Sequence, residues 1–414
     1  MKYIDKEIII DKLAESLNIT PGQYNEAKAK YERLSNYLKT KIKPLEVYLQ
    51  GSFALGTVIR PIKNMEEQDF DIDVVCQMIN GNQPLAKIKN IVGDALKESS
   101  YLKYLDDEGR RCWTLNYNDG VGDGLHVDIL PCVNESIEKI NMLKPKAENP
   151  ELVNTAIRIT HKKEESLYLP RTSNPKGLVK WFNDISRQTY HGNILNDKAK
   201  LLRKHESYFR NTLGFSTARE IDDYFVKTPL QKTIQILKRH RDVMFSSKNN
   251  EEYKPISVII TVLVTKIAED NISRINSTYD LLSIVIQTIK EYSKLTSDGV
   301  YSDFLQMENR LIEKLPDGKG WKIENPTNPG ENLADRWHED SNARAKAFFE
   351  WVEAVHSHLQ AIVENQDLDK IEPILTFNFG KETAEKTIGL CSNYLSEYSA
   401  SNNIQPTRPW KAYD

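Results

Sequence analysis

The chain has 414 residues, more than a single hydrophobic core usually organises, so two lobes are expected. Its hydrophobic share of 39% and charged share of 28% are those of an ordinary globular protein. A formal net charge of -3 excludes a global basic field for long nucleic acid, so an anionic ligand has to be gripped locally.

The N-terminus lacks a signal-peptide cleavage region, and no apolar stretch is long enough to span a bilayer, so a cytoplasmic location without membrane attachment is expected. Residues 22–41 place Tyr24, Ala27, Tyr31, Leu34 and Leu38 at helical spacing, with Thr20-Pro21 as the start. "LEVYLQ" (45–50) reads as a buried strand. Gly51-Ser52 breaks it, and "FALGTVIR" then turns helical. "FDIDVVCQM" (70–78) is a second strand, followed by a helical stretch near 85–98. "RCWTLNY" (111–117) alternates as a strand, and "NDGVGDG" is a turn cluster. "LHVDILPCV" (125–133) is a further strand, which Pro131 is expected to stop. Cys76, Cys112, Cys132 and Cys391 form no CxxC pair, which excludes a disulfide framework and a structural zinc site.

Beyond about 150 the pattern turns helical. "NPKGLVKWFNDISRQ" (174–188) is a loop opening into a helix, and 228–245 carries a face of Leu230, Ile234, Leu237 and Met244. "ISVIITVLVTKIA" (256–268) is apolar all round and reads as a buried helix, with a buried strand as the competing reading. A long helix is expected over 337–363. "ENPTNPGENL" (324–333) is loop, and the tail is polar and proline-containing. The fold class is therefore α+β: a mixed-sheet lobe, then a helical lobe, with a cleft between them.

In a strand alternate side chains share a face, so Asp69, Asp71 and Asp73 point one way while Phe70, Ile72 and Val74 point the other. Carboxylates so arranged repel unless a cation sits among them. Magnesium takes oxygen ligands and is commonly held by one or two carboxylates plus substrate phosphates. Two such ions about 4 Å apart serve phosphoryl-type displacement and want a further carboxylate. Asp128, mid-strand in "LHVDILP", is the candidate. Asp69, at the strand's edge, reads as a bystander. Gly51 allows close backbone approach, and Ser52 adds a hydroxyl donor to the N–H groups of the helix that follows.

Strand, Gly-Ser, helix, then a strand with D-x-D and a later acidic strand resembles the nucleotidyltransferase superfamily that includes DNA polymerase beta. "LQGSFALGTVIRP", "DFDIDVVCQM", "HVDILPCV", "SNPKGLVKWF", "LQKTIQILKRHRD" and "ENPTNPGENLADRW" narrow the resemblance to the bacterial CD-NTases. These are the cGAS/DncV-like enzymes of CBASS anti-phage defence, also described as SMODS domains. The resemblance implies condensation of nucleoside triphosphates, ATP among them, into a cyclic di- or trinucleotide with release of pyrophosphate. It implies two magnesium ions, or manganese in their place, on Asp71, Asp73 and Asp128, with Gly51 and Ser52 on the donor triphosphate. A lysine and a serine of the helical lobe also serve that triphosphate in the family, and Lys232 or Lys238, with Ser257, are the matches. The implied division is an N-terminal helical segment (1–44), a catalytic core (45–170), a helical lobe like that of oligoadenylate synthases (171–400) and a flexible tail (401–414). That tail is a candidate site for a CBASS regulatory protein.

Other residues carry weaker signals. His126, Trp113 and Tyr117 read as packing. Arg110 and Arg111 are candidates for contact with phosphate or base, with a surface role as the alternative, and Tyr168 and Asn174-Pro175 are candidates for the border of the base pocket. Lys238 has an alternative partner in Asp242. The same triad would also serve a template-independent linear polymerase or another nucleotidyltransferase, and a decayed, regulatory binding protein is the reading from outside enzymology.

Overall fold

The computed structural model describes residues 4–64, 66–79, 84–117, 124–164, 167–246, 250–296, 311–315 and 320–402. Its main sheet has six strands, numbered here without the short two-stranded sheets elsewhere in the described chain. They are β1 (Leu45–Gln50), β2 (Phe70–Met78), β3 (Trp113–Asn116), β4 (Leu125–Asn134), β5 (Ile157–Lys162) and β6 (Tyr168–Ser173). The order is β1-β2-β4-β5-β6, with β3 also pairing β4. β2 and β4 run parallel and the other pairs antiparallel.

The period of two makes this sheet two-faced. Phe70, Ile72, Val74, Leu125, Val127 and Ile129 are buried in one core with Tyr24, Leu34 and Leu38 of helix Pro21–Lys41 and Ile88 and Val92 of helix Leu85–Lys97. The opposite face keeps the aspartates.

Three local expectations change. β1 is an edge strand on which only Val47 is buried, because it pairs on one side alone. The helix after Gly51 is short, Gly51–Leu55, and Gly56 ends it in the left-handed region at φ 68. β4 does not stop at Pro131 but runs on to Asn134. On that flank β3 pairs residues 126–129 and β5 pairs residues 132–134, so the proline falls in the gap between two partners.

A second core joins the helices that follow. Helix Pro229–Met244 starts at Thr228 with a capping box from Gln231 and buries Leu230, Ile234 and Leu237. Residues Ser257–Asp270 are helix, not strand, with Ile259, Ile260, Val262, Leu263, Val264 and Ile267 all buried. Its neighbours surround it, so an all-round apolar sequence suits it. The long helix is Ala343–Glu364 and begins later than expected, because Ser341 and Asn342 take positive φ and cannot propagate a helix. Trp337 instead packs its ring on Trp321 and Phe348.

The N-terminal segment belongs to both cores. Helix Lys6–Ser16 buries Ile9, Ile10 and Leu13 among the helical-lobe residues, while helix Pro21–Lys41 packs on the sheet. Helix Lys381–Asn402 ends the described chain. Of the expected tail, residues 403–414 lie outside the described residues. Among the described residues no helix is long and apolar enough to cross a membrane.

Candidate active site

Strand register assembles the carboxylates. In the parallel β2–β4 pair Asp73 lies opposite Asp128 and Asp71 opposite His126, so all four share one face. The antiparallel β1–β2 pair sets Gln50 opposite Asp73, which brings Gly51 against the Asp73 carboxylate. A Cβ on Gly51 would lie 2.0 Å from Asp73 Oδ2, and the residue's φ is +61. Only glycine fits both conditions.

The charge cluster is strained electrostatically. Burial pushes the Asp73 carboxyl up to about 7, Asp128 and Asp71 add to this, and Lys238 opposes it. Burial also raises Asp128, against the Thr114 hydroxyl, which donates to its Oδ1 at 2.5 Å. Asp71 is exposed and lies 3.3 Å from His126 Nδ1, and that hydrogen bond raises the imidazole. Among the described residues no three His, Cys, Asp or Glu side chains converge tightly enough to ligate a metal. The donor chemistry nevertheless suits a hard divalent cation: every ligand atom offered is a carboxylate oxygen, and the cluster carries repulsion that such a cation relieves.

Helix Pro229–Met244 forms the opposing wall and resolves the two lysines. They are six residues apart, which is about 120° around the helix. Lys238 lines the cavity, is buried, and donates from Nζ to the Thr57 carbonyl at 2.9 Å. Burial and Arg241 push its ammonium down to about 8, with Asp242, Asp73 and Asp71 opposing. Lys232 lies outside that lining and pairs with Asp11 at 3.1 Å. Asp242 is taken by Arg241 at 2.6 Å and Lys254 at 3.0 Å, so Lys238 has no pair there. Ser257 lines the cavity, and its hydroxyl accepts from Arg241 Nη1 at 2.9 Å.

The cavity has a volume of about 730 Å³ and also takes in Gly51, Ser52, Asp71 and Asp73. Asn174 borders it but is held as a helix cap, donating to the Leu152 and Thr327 carbonyls. Trp113 and Tyr117 are in the core on the far face of the sheet. Tyr168 donates to Glu108 and is not on the wall. Asp69 sits before β2 with its carboxylate against Gly124. Arg111 does line the cavity, and Lys254, Asn325 and Glu331 join it without having been singled out from the sequence. Asn325 and Glu331 fall in "ENPTNPGENL", which was expected as loop but folds as a short hairpin of Glu324–Asn325 on Asn328–Asn332.

Comparison with known proteins agrees with this architecture. Residues 6–160 match the family model of the Second Messenger Oligonucleotide or Dinucleotide Synthetase domain, SMODS. The chain is 27% identical over 384 residues to the c-di-GMP synthase of Roseivirga ehrenbergii, covering 91% of this chain and 84% of that one. Its fold matches the CD-NTase CdnG of Bradyrhizobium diazoefficiens, solved in complex with GTP, with a TM-score of 0.63 at 16% identity over 93% of this chain and 98% of that one. It also matches the DncV cyclic AMP-GMP synthase of Vibrio cholerae, solved with the linear intermediate pppA(3',5')pG, with a TM-score of 0.56 at 13% identity over 93% and 98% of the two chains. Over residues 6–160 the chain resembles a SMODS domain, and over most of its length it is similar in sequence and fold to bacterial CD-NTases.

Proposed function

We propose that this protein is a nucleotidyltransferase that condenses nucleoside triphosphates into a cyclic dinucleotide second messenger, releasing pyrophosphate, in CBASS anti-phage signalling. The observation that carries the reading is the register pairing of Asp73 with Asp128 beside Gly51, where Asp73, Asp71 and Gly51 line a cavity that also takes in Lys238 while Asp128 lies behind that lining.

Asp71, Asp73 and Asp128 would hold magnesium, or manganese in its place, and the ions would lend Lewis acidity to the phosphoryl oxygens and the attacking hydroxyl. The chain's own residues do the rest. Gly51 lets the backbone approach the donor triphosphate, and the Ser52 hydroxyl donates to it. The Lys238 ammonium, on the cavity wall with Asp73, places positive charge where the triphosphate would lie, and Ser257 lines the same wall. Thr114 fixes one oxygen of Asp128 and leaves the other to take the proton of the attacking ribose hydroxyl. Catalysis of this kind is mostly positioning and electrostatics. A second round closes the ring once the linear intermediate rebinds with its ends exchanged. A regulatory protein docks at the C-terminal tail in this reading.

The test is incubation with all four labelled triphosphates and magnesium or manganese, then phosphatase, then mass identification of the survivor. A phosphatase-resistant cyclic dinucleotide is expected from the wild type and none from Asp71→Asn combined with Asp73→Asn. A linear ladder instead would move the assignment to a template-independent polymerase. Product from the folded double variant would remove the carboxylate assignment.

A further inference from the structure

The face of the sheet that bears the carboxylates has a second half, which the chemistry above leaves unused. Past Asp73 and Asp128 it continues through Val75, Leu130, Cys132, Ile157 and Ile159, all buried, with Tyr48 and Cys112 packed beside them. Leu130, Ile159 and Cys112 line the cavity, as do Leu178 and Val179 of helix Pro175–Gln188. An apolar surface of this kind accepts a flat ring and has nothing to offer a triphosphate.

Polar groups return where the apolar surface ends. Ser173 closes β6, two strands beyond β4, and its hydroxyl donates to both oxygens of Glu331 at 3.1 and 3.2 Å. Asn325 Nδ2 donates to Glu331 Oε2 at 2.8 Å. All three residues line the cavity. Burial pushes the Glu331 carboxyl up, and Asn325, Ser173 and the Arg111 charge pull it back. Asp242, another carboxylate on the wall, is neutralised by Arg241 and Lys254. Glu331 is held by neutral donors from β6 and from the facing strand of its own hairpin, which fix its position without cancelling its charge.

A fixed carboxylate at the end of an apolar slot selects among bases by their edges. Guanine offers two adjacent donors, N1–H and the N2 amino group, to one carboxylate. Adenine and cytosine set a donor beside an acceptor, and uracil sets one donor between two carbonyls. We propose that Glu331 is a specificity-determining residue that accepts both hydrogen bonds from a guanine, making GTP a substrate of this protein. The inference rests on the synthase reading above and names the base that its cavity takes.

Inosine triphosphate tests it, because it differs from GTP only in lacking the N2 amino group. Wild type and Glu331→Gln are compared by kcat/KM for pyrophosphate release. Without turnover, they are compared by equilibrium binding of non-hydrolysable GTP and inosine analogues. The wild type is expected to favour GTP over the inosine nucleotide by roughly tenfold or more, and Glu331→Gln to raise the GTP KM by roughly ten- to hundredfold while that preference collapses. Glu331→Asp, which withdraws the charge by one methylene, gives the same comparison if the glutamine variant does not fold. Equal use of the two nucleotides by the wild type overturns the proposal, and so does an unchanged preference in the folded variants. Turnover of other triphosphates with no guanine binding overturns the Glu331 assignment and leaves the synthase reading standing. Guanine binding that depends on Glu331, with no pyrophosphate from any triphosphate, does the reverse.

Discussion

Gly51 sets the geometry of the carboxylate cluster by what it lacks. Its φ of +61 disfavours any side chain, and the missing Cβ is the space that Asp73 Oδ2 fills. Gly51→Ala should lose about 1–2 kcal/mol to the left-handed backbone and displace the carboxylate as well. The expected outcome is a lower urea midpoint together with at least a tenfold loss of turnover, and an unchanged midpoint would contradict the contact. At this scale the three aspartates were legible, because a strand's period of two is written in the sequence and Asp128 is out of place on an otherwise apolar strand. Thr114 was not, because its role depends on the β3–β4 register that sets it opposite Asp128. Glu331 was not, because its strand Asn328–Asn332 is short and polar, with no apolar alternation to show which face meets Ser173.

The helix Pro229–Met244 joins the two walls of the cleft through a ladder of side chains. Gln231 Nε2 donates to the Leu55 carbonyl, Lys238 Nζ to Thr57 and Gln235 Nε2 to Val58, each at 2.9 Å. These three positions hold the segment that follows the Gly-Ser turn. Lys238→Met should raise the apparent KM for the donor triphosphate roughly tenfold or more, the loss of one charged hydrogen bond. Lys232→Met should leave KM within about twofold, because its partner Asp11 lies on helix Lys6–Ser16. Steady-state kinetics on the two variants separates the faces, and equal effects would refute the assignment. The helix was readable from its apolar spacing over 228–245. Its working face was not, because both lysines fit an amphipathic pattern equally well. The strand reading of 256–268 lost for a related reason: β-branched residues favour strands only where a pleated neighbour exists, and this segment is surrounded by helices.

Across the whole molecule, two cores are fastened by N-terminal helices that enter one each, and a histidine pair lies inside the helical one. The Trp351 indole N–H donates to His240 Nδ1 at 3.2 Å, so His240 Nε2 carries the proton and donates to His358 Nδ1 at 2.9 Å. Burial, then His358, pushes His240 down to about 3. In the unfolded chain a histidine titrates near 6.5, so below that pH the unfolded state binds a proton that the folded state refuses. Stability is therefore full above about pH 6.5 and falls as the pH drops toward 3, by about 2 kcal/mol between pH 7 and pH 5 from this residue. Urea midpoints across that range should show the slope, and His240→Gln should flatten it; an unaltered slope would place the titration elsewhere. The two-lobed α+β plan was legible from where strands give way to helices along the chain. The interlocking was not, since it depends on pairings between segments far apart in sequence, such as Gln235 with Val58. That seam also bears on traffic through the cleft. Separating the walls along it would strand three buried acceptors and a buried lysine at once. On the proposed function, nucleotides would come and go past the exposed Asp71 and Arg111, at the rim, while the segment after the Gly-Ser turn stays docked.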